Sequence, residues 1–265
     1  MKRFLITGAA GRIGTALRAG LADKDTILRL TDVKPLGEAG PNEELVECDL
    51  ADLDQFVSLC DGVDAVVHLA GLVHPSLSWE DALHNNFLSN YNSFEAARLK
   101  NVKRVVFASS IHAHGFARRN TVISQNTPYR PDGLYGLAKV FGEATGQLYA
   151  DKYGMEVVCL RIASFRPQPS TVRELATWLS PRDAVQLVRR SIDTPNAHFI
   201  CVYGTSNNDK GLYDTSNWKT IGYAPVDDSA EFADKVSKDP EPEFDRQFHG
   251  AHYTSPDFAG DISKI

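Results

Sequence analysis

A doubly wound α/β fold, in which helices cover both faces of a parallel sheet, is what this sequence predicts, and three observations predict it. An apolar run, residues 4–7, leads directly into a glycine-punctuated turn and then into helical periodicity. Short apolar runs recur at 27–31, 45–48, 64–69, 103–108, 157–161 and 199–203. The one at 64–69 is nearly continuous, as expected of a strand buried on both faces of a parallel sheet. Helix-length segments separate these runs, which is the alternation that builds βαβ units. With 265 residues and 43% hydrophobic content, the chain can fill one large domain spanning 1–265, whose substrate-binding segments are expected mainly in 163–235 as a small C-terminal lobe.

The first turn carries G-x-x-G-x-x-G, and each glycine has its own physical reason. Gly8 permits the tight turn off the strand, Gly11 lets backbone amides approach a pyrophosphate, and Gly14 lets the helix pack closely on the strand. The amides of Arg12, Ile13 and Gly14 would then receive the diphosphate at the helix N-terminus. Asp32 closes the second apolar run, where a carboxylate accepts hydrogen bonds from ribose hydroxyls and repels a 2′-phosphate, so the expected cofactor is NAD. The architecture is therefore Rossmann-type. Asp49 and Leu50 follow the third run and can flank an adenine, and Asp52 can cap a helix to about residue 60. Leu69, Ala70 and Gly71 end the fourth run with small groups that let a cofactor lie across the strand end. His68 is read as a hydrogen-bonded core residue. An irregular loop, 72–78, precedes helical periodicity from 79 to 100 that carries Asn86.

The fifth run ends in Ser109-Ser110-Ile111-His112-Ala113-His114, and a helix that starts after Asp132 carries Tyr135 and Lys139 four residues apart, on one face. This set answers one chemical need: removing a proton from an alcohol while hydride leaves its carbon. Tyr135 is the expected base, and the Lys139 ammonium and the positive nicotinamide should both favour its phenolate, with Lys139 also holding the nicotinamide ribose. Ser110 should orient the reacting oxygen. Ser180-Pro181 is a helix start, and the charged, proline-containing stretch from Lys235 onward is expected to lie on the surface as a tail.

Charge and composition exclude several classes. The net charge of −6 offers no basic stripe for nucleic acid, and no apolar run is long enough for a membrane span or a signal-peptide core. A cytoplasmic location follows. Cys48, Cys60, Cys159 and Cys201 show no paired or metal-ligand spacing, which predicts buried, reduced thiols and no metal site. Self-association is left open.

Taken together, these residues resemble the extended short-chain dehydrogenase/reductase family, and most of all its uronate dehydrogenases. The narrower resemblance rests on Val106-Phe107-Ala108-Ser109-Ser110, on the run Arg130 to Gly136, on Leu160-Arg161-Ile162, on Ala176 to Ser180 and on Val202-Tyr203-Gly204. It implies NAD-dependent oxidation of a hexuronate at C1 to an aldarolactone. It also implies cofactor contacts through Ser109 and Ile162, and substrate contacts through Ser110, Tyr135, Ser164 and Arg173, with Arg173 clamping the carboxylate. Three departures fall where the substrate would lie. Ile111 stands in place of the family's asparagine, Val73 and His74 stand where the family has a serine contact, and Ala163 replaces a glycine. His112 and His114 are candidates for a compensating contact. Arg118, Arg119 and Arg166 keep a sugar phosphate in play. A neutral aldose, a nucleotide-sugar epimerase or dehydratase reaction, and a non-enzymatic NAD-sensing role are the remaining alternatives.

Overall fold

The computed structural model describes residues 1–265. Seven parallel strands form one sheet in the order β3-β2-β1-β4-β5-β6-β9. They are β1 (Lys2–Thr7), β2 (Thr26–Thr31), β3 (Glu43–Leu45), β4 (Ala65–His68), β5 (Arg104–Ser110), β6 (Glu156–Ile162) and β9 (Phe199–Gly204). Strand order reverses between β1 and β4, so a crevice opens beyond their carboxyl ends, where Thr7 pairs with His68.

Period-two alternation, with helices on both faces, explains why most positions of the central strands are buried. Phe4, Ile6, Leu28, Leu30, Val67, Val106 and Leu160 face a cluster that also contains Leu17 and Leu21 of α1 (Arg12–Leu21) and Leu187 and Val188 of α7 (Pro181–Asp193). Leu5, Val66, Val105, Phe107 and Val157 face the other side. There they meet Phe56 of α2 (Leu53–Leu59), Phe94 of α4 (Ser89–Leu99) and Tyr149 of α5 (Leu134–Tyr153). All four cysteines lie in this second cluster, free and buried. Two helix starts follow their sequence signals: Asp52 accepts from the Gln55 amide at 3.1 Å, and Ser180 from the Asp183 amide at 3.0 Å ahead of Pro181.

Three expectations need correction. The third strand is Glu43–Leu45, not 45–48: β3 is a short edge strand paired with Leu28–Leu30, and the apolar residues that follow leave the sheet. The helix expected over 79–100 is interrupted, with α3 (Trp79–Ala82), a π-helical stretch at Leu83–Leu88 and then α4. Widening the turn brings the Asn86 side chain onto both backbone groups of Leu72, at 2.9 and 3.0 Å. The segment beyond Lys235 is no surface tail, because Val236, Phe248, His249 and Ala251 are buried. Phe248 stacks edge-on against Phe116 at 5.4 Å, and Gly250 N–H donates to the Gly115 carbonyl at 2.9 Å. Its charges are solvated while its phenylalanines anchor it.

Within the expected loop-rich lobe, β7 (Ser164–Phe165) pairs in parallel with β8 (Trp178–Leu179), flanking the short α6 (Glu174–Thr177). The remaining helix is α8 (Trp218–Ile221).

Candidate active site

The cofactor half is made mostly of backbone. Gly8 has φ +67°, and a Cβ there would stand 2.8 Å from the Ala70 amide nitrogen. A Cβ on Gly14 would lie 2.4 Å from the Gly8 carbonyl oxygen, so α1 approaches the turn more closely than any side chain allows. No side chain caps α1 at Gly11, which leaves the amides of Arg12, Ile13 and Gly14 for a ligand. The Asp32 carboxylate accepts from the Ala10 and Lys34 amides, both at 2.9 Å, tying the end of β2 to the glycine turn. Each oxygen keeps a lone pair for a ribose hydroxyl. Asp49 lies near His84 at 3.3 Å, while the Leu50 carbonyl is held by Asn92. The amides of Leu69 and Ala70 donate to Thr7 Oγ1 at 3.2 and 3.3 Å, and Gly71 takes φ +142°. These features form a cradle of the shape and polarity that an NAD diphosphate needs, and Asp32 fits its adenosine ribose.

His68 belongs to the scaffold, as read from the sequence. Its Nδ1 meets Thr7 Oγ1 at 2.9 Å and its Nε2 meets Asn90 Oδ1 at 3.2 Å, while Asn90 Nδ2 donates to the Ala138 carbonyl. Burial pushes its pKa down to about 3, with the nearby Lys139 charge adding to the effect.

At the mouth of the crevice, β5 delivers Ser110 and the first turn of α5 delivers Tyr135, with Lys139 one turn further along. All three are buried. The Lys139 ammonium lies 5.1 Å from the centre of the Phe107 ring and 5.5 Å from that of Tyr135. Burial pushes Lys139 down to about 8. It also pushes the Tyr135 phenol well above its ordinary value, opposed by a hydrogen bond from Ser110 and reinforced by Tyr253 and Asp132.

Behind this face lies a buried polar network that the sequence reading missed. Glu143, one turn beyond Lys139, receives Arg161 Nη2 at 2.8 Å, Tyr129 Oη at 2.9 Å and the Ser109 hydroxyl. Ser109 is therefore directed into the scaffold. The signal was present in the spacing Tyr135, Lys139, Glu143, three polar residues on one helical face.

The proposed substrate residues divide into two groups. Ser164 Oγ pairs with Thr177 Oγ1 at 2.8 Å, close in the chain to Ile162, the expected cofactor contact, which is buried at the end of β6. Arg173 is largely buried, donates through Nη2 to the His249 carbonyl at 2.7 Å and has an unpartnered buried Nε. Burial lowers its pKa. His112 is held by Asp132 and packs near Tyr135. In contrast, Ile111 is only 3% exposed and packs with Ala117, Ile123, Tyr203 and Tyr213. Its side chain belongs to an apolar cluster, which explains why an aliphatic group is tolerated there. His114 turns inward to the Thr127 carbonyl at 2.9 Å. Val73 and His74 are exposed on the loop after Gly71, where the His74 ring accepts from the Ser76 amide.

Residues 4–166 match the model of the NAD dependent epimerase/dehydratase family. The chain is 43% identical over 244 residues to the uronate dehydrogenase of Pseudomonas putida, covering 92% of this chain and 91% of that one. Among solved structures, it superposes with a TM-score of 0.91 on a tyrosine-to-alanine mutant of uronate dehydrogenase from Agrobacterium tumefaciens complexed with NAD, at 39% identity, covering 96% of this chain and 97% of that one. It superposes equally, at 35% identity, on glucuronic acid dehydrogenase from Chromohalobacter salexigens, with 100% of this chain and 99% of the other covered.

Proposed function

We propose, on the premise that this chain belongs to the NAD dependent epimerase/dehydratase family, that it oxidises a hexuronate such as glucuronate or galacturonate at C1 to the aldarolactone, with NAD as acceptor. The single observation that carries the substrate class is Arg173, a largely buried guanidinium with an unpartnered Nε and only a carbonyl as partner. A desolvated cation of this kind is satisfied by an anion that arrives with the substrate.

The phosphate alternative loses its support because its arginines are committed elsewhere. Arg118 binds the Ile262 and Ile265 carbonyls, Arg119 binds Glu241, and Arg166 binds Glu174. A neutral aldose would leave Arg173 without a counter-charge.

In the proposed reaction Ser110 holds the C1 oxygen and Tyr135 removes its proton as the hydride leaves the carbon. Bound NAD supplies the hydride acceptor and a positive nicotinamide. Lys139 holds the ribose, and Arg173, against the roof formed by His249, fixes the carboxylate. We place the enzyme in the cytoplasm on its four free, buried cysteines, which suit a reducing compartment. No helix is long and apolar enough to cross a membrane. The test is NADH absorbance with uronates, the matching neutral aldoses and aldose phosphates. Oxidation confined to uronates is expected, and activity on aldose phosphates alone would reject the reading.

A further inference from the structure

Asp132 is a buried carboxylate at the edge of the cleft to which no role has so far been attached. Its side chain is fully buried, and Oδ2 lies 2.6 Å from His112 Nδ1. Three glycines from separate parts of the chain wall it in. A Cβ on Gly115 would stand 1.8 Å from Oδ2, one on Gly250 2.1 Å from Oδ2, and one on Gly136 2.9 Å from Oδ1. A Cβ on Gly136 would also come within 2.3 Å of the His112 carbonyl oxygen. Residue 136 adjoins Tyr135, so the close approach that seats Asp132 also joins the His112 turn to the start of α5. Tyr253 covers the imidazole at a ring separation of 3.9 Å and an interplanar angle of 31°, and the Tyr135 ring meets it edge-on at 5.6 Å. The ring is therefore held by its edge and by its face, while Nε2 has no protein partner.

We propose that Asp132 is a positioning residue that fixes the tautomer of His112 for substrate recognition. An ionised carboxylate only accepts, so the Nδ1 facing it carries the proton. In the neutral imidazole Nε2 is then an acceptor, and it takes a hydrogen bond from a sugar hydroxyl beside the reacting carbon. The opposite tautomer would present an N–H, which suits a carboxylate and would compete with Arg173. Asp132 thereby separates the two recognition tasks: Arg173 reads the anion and His112 reads a hydroxyl. The hydroxyl-reading role rests on the hexuronate reading above, whereas the tautomer does not.

Two measurements test this. Nitrogen-15 NMR of the wild-type imidazole should show the His112 proton on Nδ1 and Nε2 unprotonated. A proton on Nε2, or a doubly protonated ring, would overturn the proposal, and this readout requires no variant to fold. Kinetically, Asp132→Asn fits the same cage but can donate to Nδ1 and reverse the tautomer, as an analogous change does in serine proteases. It should lower kcat/KM for uronate about tenfold or more, mainly through KM, with NAD affinity unchanged. In a His112→Gln background the same change should cost nothing further. An equal loss in that background would make Asp132 merely structural and overturn its role. Failure of the wild type to oxidise uronates would reject the substrate reading instead and leave the NMR result to stand by itself.

Discussion

The proposed cofactor wall and the proposed substrate wall of the crevice are built from different material. The first draws on a nearly continuous stretch, Thr7 to Gly14, with Asp32 and 69–71 close by, and its contacts are largely backbone amides, carbonyls and absent Cβ atoms. The second is assembled from Ser110 and His112, Asp132 to Lys139, Ser164 to Thr177 and His249 to Tyr253, and each of its contacts involves at least one side chain. A wall of backbone is specified by where glycine stands and changes little with surrounding sequence. A wall of side chains from four segments can be retuned one residue at a time, so substrate preference can drift while NAD binding persists.

The largest expected effect lies where the walls meet. Tyr135→Phe should lower turnover by roughly 10²-fold or more, the scale of general-base catalysis, while NAD affinity measured by fluorescence titration stays within a few fold. A mutant with near-normal turnover would remove Tyr135 from the mechanism. Next in size is Arg173→Ala, which removes a charge-assisted contact of about 1.5–3 kcal/mol and should lower kcat/KM for uronates roughly 10 to 100-fold. Activity on the matching neutral aldose should barely move. Equal impairment of acidic and neutral sugars would mean that Arg173 supports the fold through His249 rather than reading charge.

Asp32→Ala probes the cofactor wall. The carboxylate repels a 2′-phosphate, so its removal should weaken NAD by about tenfold and narrow the preference for NAD over NADP. Comparable use of both cofactors by the wild type would contradict the ribose role. Because Asp32 also accepts two backbone amides, the same variant should lose some thermal stability, whereas Arg173→Ala should leave the glycine turn intact.

How much was legible follows the same division. The glycine turn, Asp32, the buried strands and the Tyr135/Lys139 helix are local patterns, so spacing and periodicity expose them. Apart from Glu143, whose spacing from Lys139 is a local signal, the site features that escaped are those joined across long sequence distances. Nothing local marks Tyr253 as the cover of His112, or Gly250 as a wall of the Asp132 cage. The short 3₁₀ turns after residue 243 have no periodicity to detect, and their phenylalanines were hidden among charges. The π-helical stretch around Asn86 was missed because one extra residue per turn leaves helical composition unchanged.

Lys139 links function to stability. Its folded pKa is depressed from 10.5 to about 8 by burial, so the folded state disfavours the charged form. That penalty, on the order of 3 kcal/mol, is fully present below about pH 8 and fades as pH rises toward 10.5. Lys139→Met should therefore abolish activity yet raise the melting temperature at pH 7, with the gain shrinking in alkaline buffer. An unchanged or lower melting temperature at pH 7 would show that the ammonium is already well solvated or paired in the fold.

The smallest expected effect concerns Ile111, where the family resemblance and the structure point in opposite directions. By resemblance alone, Ile111→Asn would restore a polar substrate contact and raise uronate activity. The structure places this side chain at 3% exposure among Ala117, Ile123, Tyr203 and Tyr213, with Ala163 and Leu212 packed against the cluster. An amide left there without partners costs about 1–3 kcal/mol, and the aromatic stack of Tyr203 on Tyr213, 4.8 Å apart, leaves little freedom for rearrangement. The expected result is a melting temperature lower by several degrees, with kcat/KM for uronates unchanged or reduced. A gain in uronate activity without loss of stability would mean that the asparagine turns out of the cluster toward the sugar. Residue 111 would then belong to the substrate wall, with four side-chain segments contributing one more recognition position than the apolar packing of isoleucine reveals.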